Sequence, residues 1–390
     1  CALAFSGSEI SLMPAEAPAQ PSIPGLLLFF LRLGFTAFGG PAAHIARMEE
    51  LVVRERGWIS RERFLDLLGA ANLLPGPSST EVAIFIGREL GGAAGLVAAG
   101  VGFISPGVLL TLAAAWAYAR FGALPALGGV LYGVKPVIVA VVAQAIVKLG
   151  RTALKTWLLG LCGAAAAAAA ALGVEPVVAL IGAGAICAAA RGIVSRGGAA
   201  GLLPALPAAA LAAGAKPGLL SIFGVFFKTS AALFGSGYVL LSFLRADLVE
   251  HRAWITEAQL LDAVAVGQVT PGPVFSTATF IGYLVAGPGG AAAATLGIFA
   301  PAFLLVAASS PLVARARRSP ALGAFLDGVN VAALGLMALV TFQIGRAAVV
   351  DVPTAALAAV AAVLLLRFRV SSLPVILGGA LIGALLALRG

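Results

Sequence analysis

Charge is what this chain has least of. Of its 390 residues only 11% are Asp, Glu, Lys or Arg, whereas 61% are apolar and the mean hydropathy is +1.06. A soluble domain of that length could not hide so much hydrocarbon, so the chain belongs in a bilayer. Histidine is scarcer still, with only His44 and His251, which excludes a conventional multi-histidine metal centre. The cysteines Cys1, Cys162 and Cys187 stand apart without metal-like spacing and read as small core residues, so neither metal nor cofactor is expected. Alternating ten-residue segments are missing, which excludes an outer-membrane barrel. A formal charge of +9 could point to nucleic acid, but the Lys and Arg residues occupy short loops between apolar runs and form no basic domain. They read as topology signals.

What the chain has instead is long apolar runs, at 92–119, 156–174, 176–190, 199–215, 289–314, 321–344, 354–366 with its flank, and 373–388. About 20 such residues cross the hydrocarbon core as a helix, so the expected class is an all-α, multi-pass membrane protein. Residues 1–24, with Pro14, Pro18, Pro21 and Pro24, read as a mobile tail in which Met13 is a plausible alternative start.

One segment is written twice. Asn72-Leu-Leu-Pro75-Gly76-Pro77 recurs as Gln268-Val-Thr-Pro271-Gly272-Pro273, and at the same offset of 196 Phe38-Gly39 matches Phe234-Gly235, Trp58-Ile59 matches Trp254-Ile255, and Asp66 matches Asp262. After the motif the register slips by one, so that Gly133 answers to Gly328 and Gly150 to Gly345. Repeat one therefore runs over 25–190 and repeat two over 221–390, joined by 191–220, which contains one more apolar segment. A single extra crossing would invert the second copy. Loop charges agree, because Arg47, Arg54, Arg56, Arg61 and Arg63 face only Arg245 and Arg252 in the matching loop. The bias then reverses, with Arg120 against Arg315, Arg317 and Arg318, and reverses again, with Lys148, Arg151 and Lys155 against Arg346. Three loop pairs of opposite sign predict inverted-topology repeats with loop 44–63 cytoplasmic.

Each repeat opens on segments that do not resemble ordinary spanning helices. Residues 41–56 are amphipathic and read as an interfacial helix, which would put His44 at the interface. Ser60 with Glu62, and Thr256 with Gln259, signal capped helices that Pro-Gly-Pro then stops before another begins. The result is a pair of half-helices in each copy. A helix starting at Pro77-Ser78-Ser79-Thr80 would aim amides, hydroxyls and its positive dipole end inward, where an anion is stabilised. In an inverted pair, Pro273 with Ser276 and Thr277 would face it, and Asn72 and Gln268 would add side-chain amides. The glycine breaks at Gly39-Gly40 and Gly235-Ser236 would supply further backbone turns. Against this stands the bland alternative that these residues only allow close helix packing, which two matched, inverted copies disfavour.

Intramembrane charges complete the expectation. Arg32 and its counterpart Lys228 are candidates to balance a dianion, with snorkelling to the interface as the alternative for Arg32. Lys135 and its counterpart Asn330 are candidates to line a polar path. Glu81 either complements the helix dipole or carries a coupling proton, and the matching position in repeat two holds a Thr or Ala, so one copy alone would titrate. Asp66 and Asp262 are expected to pair with arginines.

The ordered set Phe38-Gly39-Gly40-Pro41-x-x-His44-Ile45, Arg56-x-Trp58-Ile59, Phe64-Leu65-Asp66 and Asn72-x-x-Pro75-Gly76-Pro77-x-Ser79-Thr80-Glu81 resembles the chromate ion transporter family in its long-chain, two-domain form. The likeness runs from residue 25 almost to the end. It implies export of chromate from the cytoplasm, coupled to protons as an antiporter, a bacterial inner-membrane location, and chromate resistance. Sulfate is the alternative oxyanion, a channel the alternative mode, and a homodimer remains open. The second copy departs from the first at Gly237 for Pro41, Leu240 for His44 and Gln268 for Asn72. A different class, an intramembrane serine hydrolase built on Gly235-Ser236-Gly237, lacks a histidine base in any spanning segment.

Overall fold

The computed structural model describes residues 21–38, 40–122, 125–190, 217–234, 239–309 and 320–388, and among these every regular element is helical. The expected spanning segment 199–215, the arginines 315–318, and the site candidates Gly39, Gly235 and Ser236 lie outside the described residues.

In repeat one, α1 (Ile23–Thr36), α2 (Pro41–Glu49) continuing as a π-helical turn to Glu55, and α3 (Arg61–Ala71) precede α4 (Ser78–Phe121), α5 (Pro125–Ala153), α6 (Trp157–Ala171) and α7 (Pro176–Ala190). Repeat two runs through α8 (Leu219–Ala232), α9 (Leu240–Leu244) with a π-helical turn to His251, α10 (Glu257–Val269), a 3-10 turn (Val274–Ser276), α11 (Thr277–Ala308), α12 (Pro320–Ala348), α13 (Val352–Leu366) and α14 (Ser372–Ala387). Caps fall where the sequence signals them. The Ser60 hydroxyl accepts from the Arg63 amide at 3.1 Å, and Thr256 with Gln259 closes a reciprocal capping box.

Four helices, Ser78–Phe121, Gly128–Ala153, Val274–Ala308 and Ala321–Ala348, are long and apolar enough to cross a membrane. Six shorter apolar helices, among them α1 with 14 residues and α14 with 16, reach only about 21–24 Å against a core of about 30 Å. The pattern is a multi-pass membrane protein.

α4 and α11 are each a hairpin of two helices. Helical geometry fails at Gly91-Gly92 and at Ala286-Gly287, where Gly92 and Gly287 take φ +59° and +62°. The halves then fold back so closely that a Cβ on Gly87 would strike the Gly95 carbonyl, and one on Gly282 the Gly290 carbonyl. Apolar runs starting at 92 and 289 anticipated the second arms. The bends themselves escaped notice, because a Gly-Gly step inside hydrocarbon reads equally as packing.

The repeats are inverted. Beside the α4 bend, the Arg88 guanidinium donates to the carbonyls of Val306 and, at 3.1 Å, Ala307, at the far end of the second arm of α11. That arm starts at the α11 bend, so the two bends lie at opposite faces. We call the face holding the α4 bend, the Arg63–Glu89 ion pair and the α5–α6 loop face A, and the other face B.

Each hairpin carries its own first helix, α1 on α4 and α8 on α11, but the later helices are exchanged. α5 packs against α13 and α14 of repeat two, and α12 against α6 and α7 of repeat one. Small residues permit the approach: Gly133 meets Gly379 and Gly383, and its counterpart Gly328 meets Ala183 and Gly184. The neighbouring helices α6 and α7 bring together the supposedly isolated Cys162 and Cys187, whose Sγ atoms lie 3.5 Å apart.

Candidate functional site

Both Pro-Gly-Pro segments break a helix as expected, and each is anchored on the other repeat. The Gly76 amide donates to the Leu233 carbonyl at 2.7 Å, just past α8, and the Gly272 amide donates to the Ala37 carbonyl at 2.9 Å, just past α1. These are equivalent bonds under the 196-residue offset. One half-helix end of each repeat thus meets the broken helix of the other, with Pro75, Pro77, Pro271 and Pro273 setting the turns. The central glycine amides are committed to this exchange, so an anion would have to use the neighbouring helix start. There Thr80 and Glu81 donate to the Pro77 carbonyl as the first helical bonds of α4.

Around the first motif four buried polar side chains have no hydrogen-bond partner among the described residues. Glu81 is completely buried, and neither carboxylate oxygen has a hydrogen-bond partner among the described residues. The hydroxyls of Thr80, Thr229 and Ser230 are equally buried and equally unpartnered. Glu81 turns back onto the motif: a Cβ on Gly76, which has φ +138°, would lie 2.7 Å from its Oε1 and 3.8 Å from the Ser230 Oγ. An unsatisfied buried hydroxyl costs about 1–3 kcal/mol and a bare carboxylate more. Such a cluster is what a ligand site looks like when only the protein's half of its bonds is present.

His44 is buried at 1% exposure, against the expectation of an interfacial residue. Its ring meets Phe103 edge-on with centroids 5.6 Å apart, and its Nδ1 lies 3.4 Å from the Ser79 Oγ, because α2 tucks under the start of α4 instead of lying flat. Gly40, at φ +82°, makes the turn into α2.

The second motif is closed. Gly272 sits against the backbone of Gly107 at 3.3 Å from where its Cβ would be. Ser276 is bonded to the Thr111 hydroxyl at 3.2 Å, which also approaches Thr270, and the Thr277 hydroxyl donates to the Val274 carbonyl at 2.8 Å. Gln268 borders a crevice of about 10 Å³ lined otherwise by Thr277 and apolar side chains such as Val142 and Leu244. Its counterpart Asn72, with Thr152, Lys155, Asp327 and Asn330, instead lines a cavity of about 260 Å³ at face A. Since water occupies about 30 Å³ in the liquid, the cavity has room for a small anion with part of its hydration. Asn72 and Asn330, nominated from different repeats, are brought together there.

The intramembrane cations divide by face. Lys228 is held by Glu175 and by Asp247 at 3.7 Å, so its charge is already balanced by two carboxylates. Arg32 is exposed on α1 beside Leu28 and Phe35. Lys135 lies 3.0 Å from Asp262, which also accepts from the Tyr118 hydroxyl at 2.8 Å. Asp262 therefore pairs with a lysine and a tyrosine, not with the expected arginine, because exchange sets α10 against α5. Asp66, its counterpart, is exposed near Arg63. Glu175, Asp247, Lys155 and Asp327 were not legible as partners, since contacts to residues on other helices, up to 172 positions away, leave no local signal.

Comparison with known proteins finds the same two copies. A family model described as "Chromate transporter" matches twice, over residues 25–188 and 220–384. The chain is 36% identical over 374 residues to the "Chromate transport protein" of Cupriavidus metallidurans, covering 93% of this chain and 92% of that one. It is 34% identical to the "Probable chromate transport protein" of Synechococcus elongatus, over 85% and 87% of the two chains, and 33% identical to the "Chromate transport protein" of Pseudomonas aeruginosa, over 89% of each. No solved structure matches.

Proposed function

This chain belongs to the chromate transporter family, and from that premise we propose that it exports chromate across the bacterial inner membrane, with proton coupling through Glu81 and chromate resistance as the consequence. The single observation that carries the site is the buried, unpartnered cluster of Glu81, Thr80, Thr229 and Ser230 at a helix start, on the Pro-Gly-Pro loop that the other repeat anchors. A helix N-terminus with hydroxyl donors suits a tetrahedral oxyanion. A carboxyl beside it links the occupancy of that end to a proton, because an ionised Glu81 and an oxyanion repel.

Face A is the cytoplasmic face under the positive-inside rule, since loop 44–63 and Lys148, Arg151 and Lys155 belong to it. With about 260 Å³ free at face A against about 10 Å³ beside the second motif, the arrangement suits a carrier loading from the cytoplasm. Alternating access would exchange the two. Sulfate, a dianion of the same shape, is the substrate to test beside chromate. Arg32 and the apolar surface around it on α1 suit a contact between two copies of the chain.

The test is uptake of labelled chromate into proteoliposomes with sulfate as competitor and a pH gradient imposed in either direction. Exchange for protons predicts stimulation by acid on the opposite side, and cotransport predicts stimulation by acid on the same side. Flux indifferent to both gradients removes proton coupling, and flux without saturation points to a channel.

A further inference from the structure

The α5–α6 loop and the α12–α13 loop occupy equivalent places at opposite faces. In each, the residue that caps the next helix is polar, Thr156 in one and Asp351 in the other. Each loop is also tied to a helix of the other repeat or its own inverted mate, by bonds of opposite chemistry. At face A the Lys155 Nζ lies 2.9 Å from Asp327 Oδ1. At face B the position matching Asp327 is Tyr132, which donates to Asp351 at 2.6 Å, and the position matching Lys155 is Val350. The Tyr132 hydroxyl and the Thr354 amide hold the Asp351 carboxyl below the usual carboxylate range, so this bridge stays anionic. A cation is therefore present at the mouth of face A and absent from the equivalent bridge at face B.

Stability does not explain the Lys155–Asp327 pair. The lysine side chain is 59% exposed, and pairs of that kind contribute about 0–1 kcal/mol. Its position does explain it, because both residues line the 260 Å³ cavity with the amides of Asn72 and Asn330. Among the described residues that line it, Lys155 is the one cation, and it already has a carboxylate.

We propose that Lys155 is the capture residue for the incoming oxyanion and that Asp327 is its resident competitor, which selects dianions over monovalent anions. This rests on the carrier reading above. A dianion is attracted to Lys155 about twice as strongly as chloride is, and displaces the carboxylate that chloride cannot. The Asn72 and Asn330 amides then take the oxygens that the lysine leaves free. The released oxyanion lies next to the residue that leads directly into the first Pro-Gly-Pro.

The experiment measures uptake from the face-A side into oriented proteoliposomes, with labelled sulfate and chromate and with chloride as competitor. Lys155→Gln raises KM for the oxyanion about tenfold, and Lys155→Arg restores most of it. Asp327→Asn moves the other way, lowering KM severalfold and making uptake sensitive to chloride. A pair that only braces the loop predicts that K155Q and D327N shift KM or stability in the same direction, and that result overturns the proposal. Should K155Q fail to fold, D327N decides alone, since an unchanged or raised KM contradicts capture. Wild-type protein that moves neither oxyanion sinks the carrier reading and this inference together, whereas normal wild-type flux with unmoved variants sinks the inference only.

Discussion

The two Pro-Gly-Pro motifs share a backbone and differ in what surrounds it. Both donate their glycine amide to the end of a half-helix in the other repeat, at 2.7 and 2.9 Å. Around the second, every hydroxyl described above is bonded and glycine packs on glycine. Around the first, Glu81, Thr80, Thr229 and Ser230 are buried without partners. On the function proposed above, the frame is symmetric, and the first motif carries the ligand-directed chemistry while the second serves as structure. The charges follow the same division. Toward face B lie two intramembrane cations paired with carboxylates, Lys228 with Glu175 and Asp247, and Lys135 with Asp262. At the positions matching Glu175 and Asp247 the other half has Val370 and Leu51, and Asn330 stands where Lys135 would be.

Variants can break this contrast. The largest effect is expected from Lys135→Ala, which strands Asp262 at 5% side-chain exposure and should cost about 3–5 kcal/mol. The measurement is thermal unfolding in detergent, and adding Asp262→Asn should recover much of the loss. A double variant as unstable as K135A alone would mean the pair does not carry the charge balance.

Next come the two glycines. Gly272→Ala drives a methyl against the Gly107 backbone at a positive φ and should cost about 2–4 kcal/mol. Gly76→Ala is strained too, at φ +138°, but its close contact is the movable end of Glu81 instead of backbone, so it should cost less stability than G272A while losing transport. Equal loss of folding in both would remove the distinction between a structural and a functional motif.

Smaller shifts separate the hydroxyls. Removing Ser230 and Thr80 as Ser230→Ala with Thr80→Val should raise the oxyanion KM severalfold, with little change in melting temperature, because those hydroxyls make no internal bond. Thr111→Val should do the reverse, costing about 1 kcal/mol of stability with KM unmoved. The smallest effect belongs to Gln268→Leu, which replaces an unpartnered amide beside an apolar crevice and should be neutral or slightly stabilising. Asn72→Leu, in the open cavity, should weaken binding.

Much of this fold was legible without coordinates. Duplication is read from matches 196 positions apart and inversion from loop charges, whereas the capped half-helices at Ser60 and Thr256 and the breaks at Pro75 and Pro271 rest on local chemistry, in which a proline or a capping hydroxyl acts within four residues. What escaped depends on partners far apart in sequence. Nothing in the vicinity of Lys228 announces Glu175, and nothing near Lys155 announces Asp327, because the exchange of α5 and α12 between repeats decides both. His44 was misplaced for a related reason: an amphipathic pattern reports that one face is buried, not that α4 buries it. Glu81 stands out in the sequence as an acid in the first turn after Pro77, but its complete burial with no hydrogen-bond partner among the described residues is a property of the packed site.

The most direct test of the central claim, that the first motif holds the proton-linked oxyanion site, is the pH-gradient dependence of chromate uptake by Glu81→Gln beside wild type. The account predicts that wild-type flux responds to an imposed gradient, and that E81Q binds chromate but transports it at a rate the gradient no longer alters. An E81Q variant whose flux follows the gradient as wild type does would contradict it.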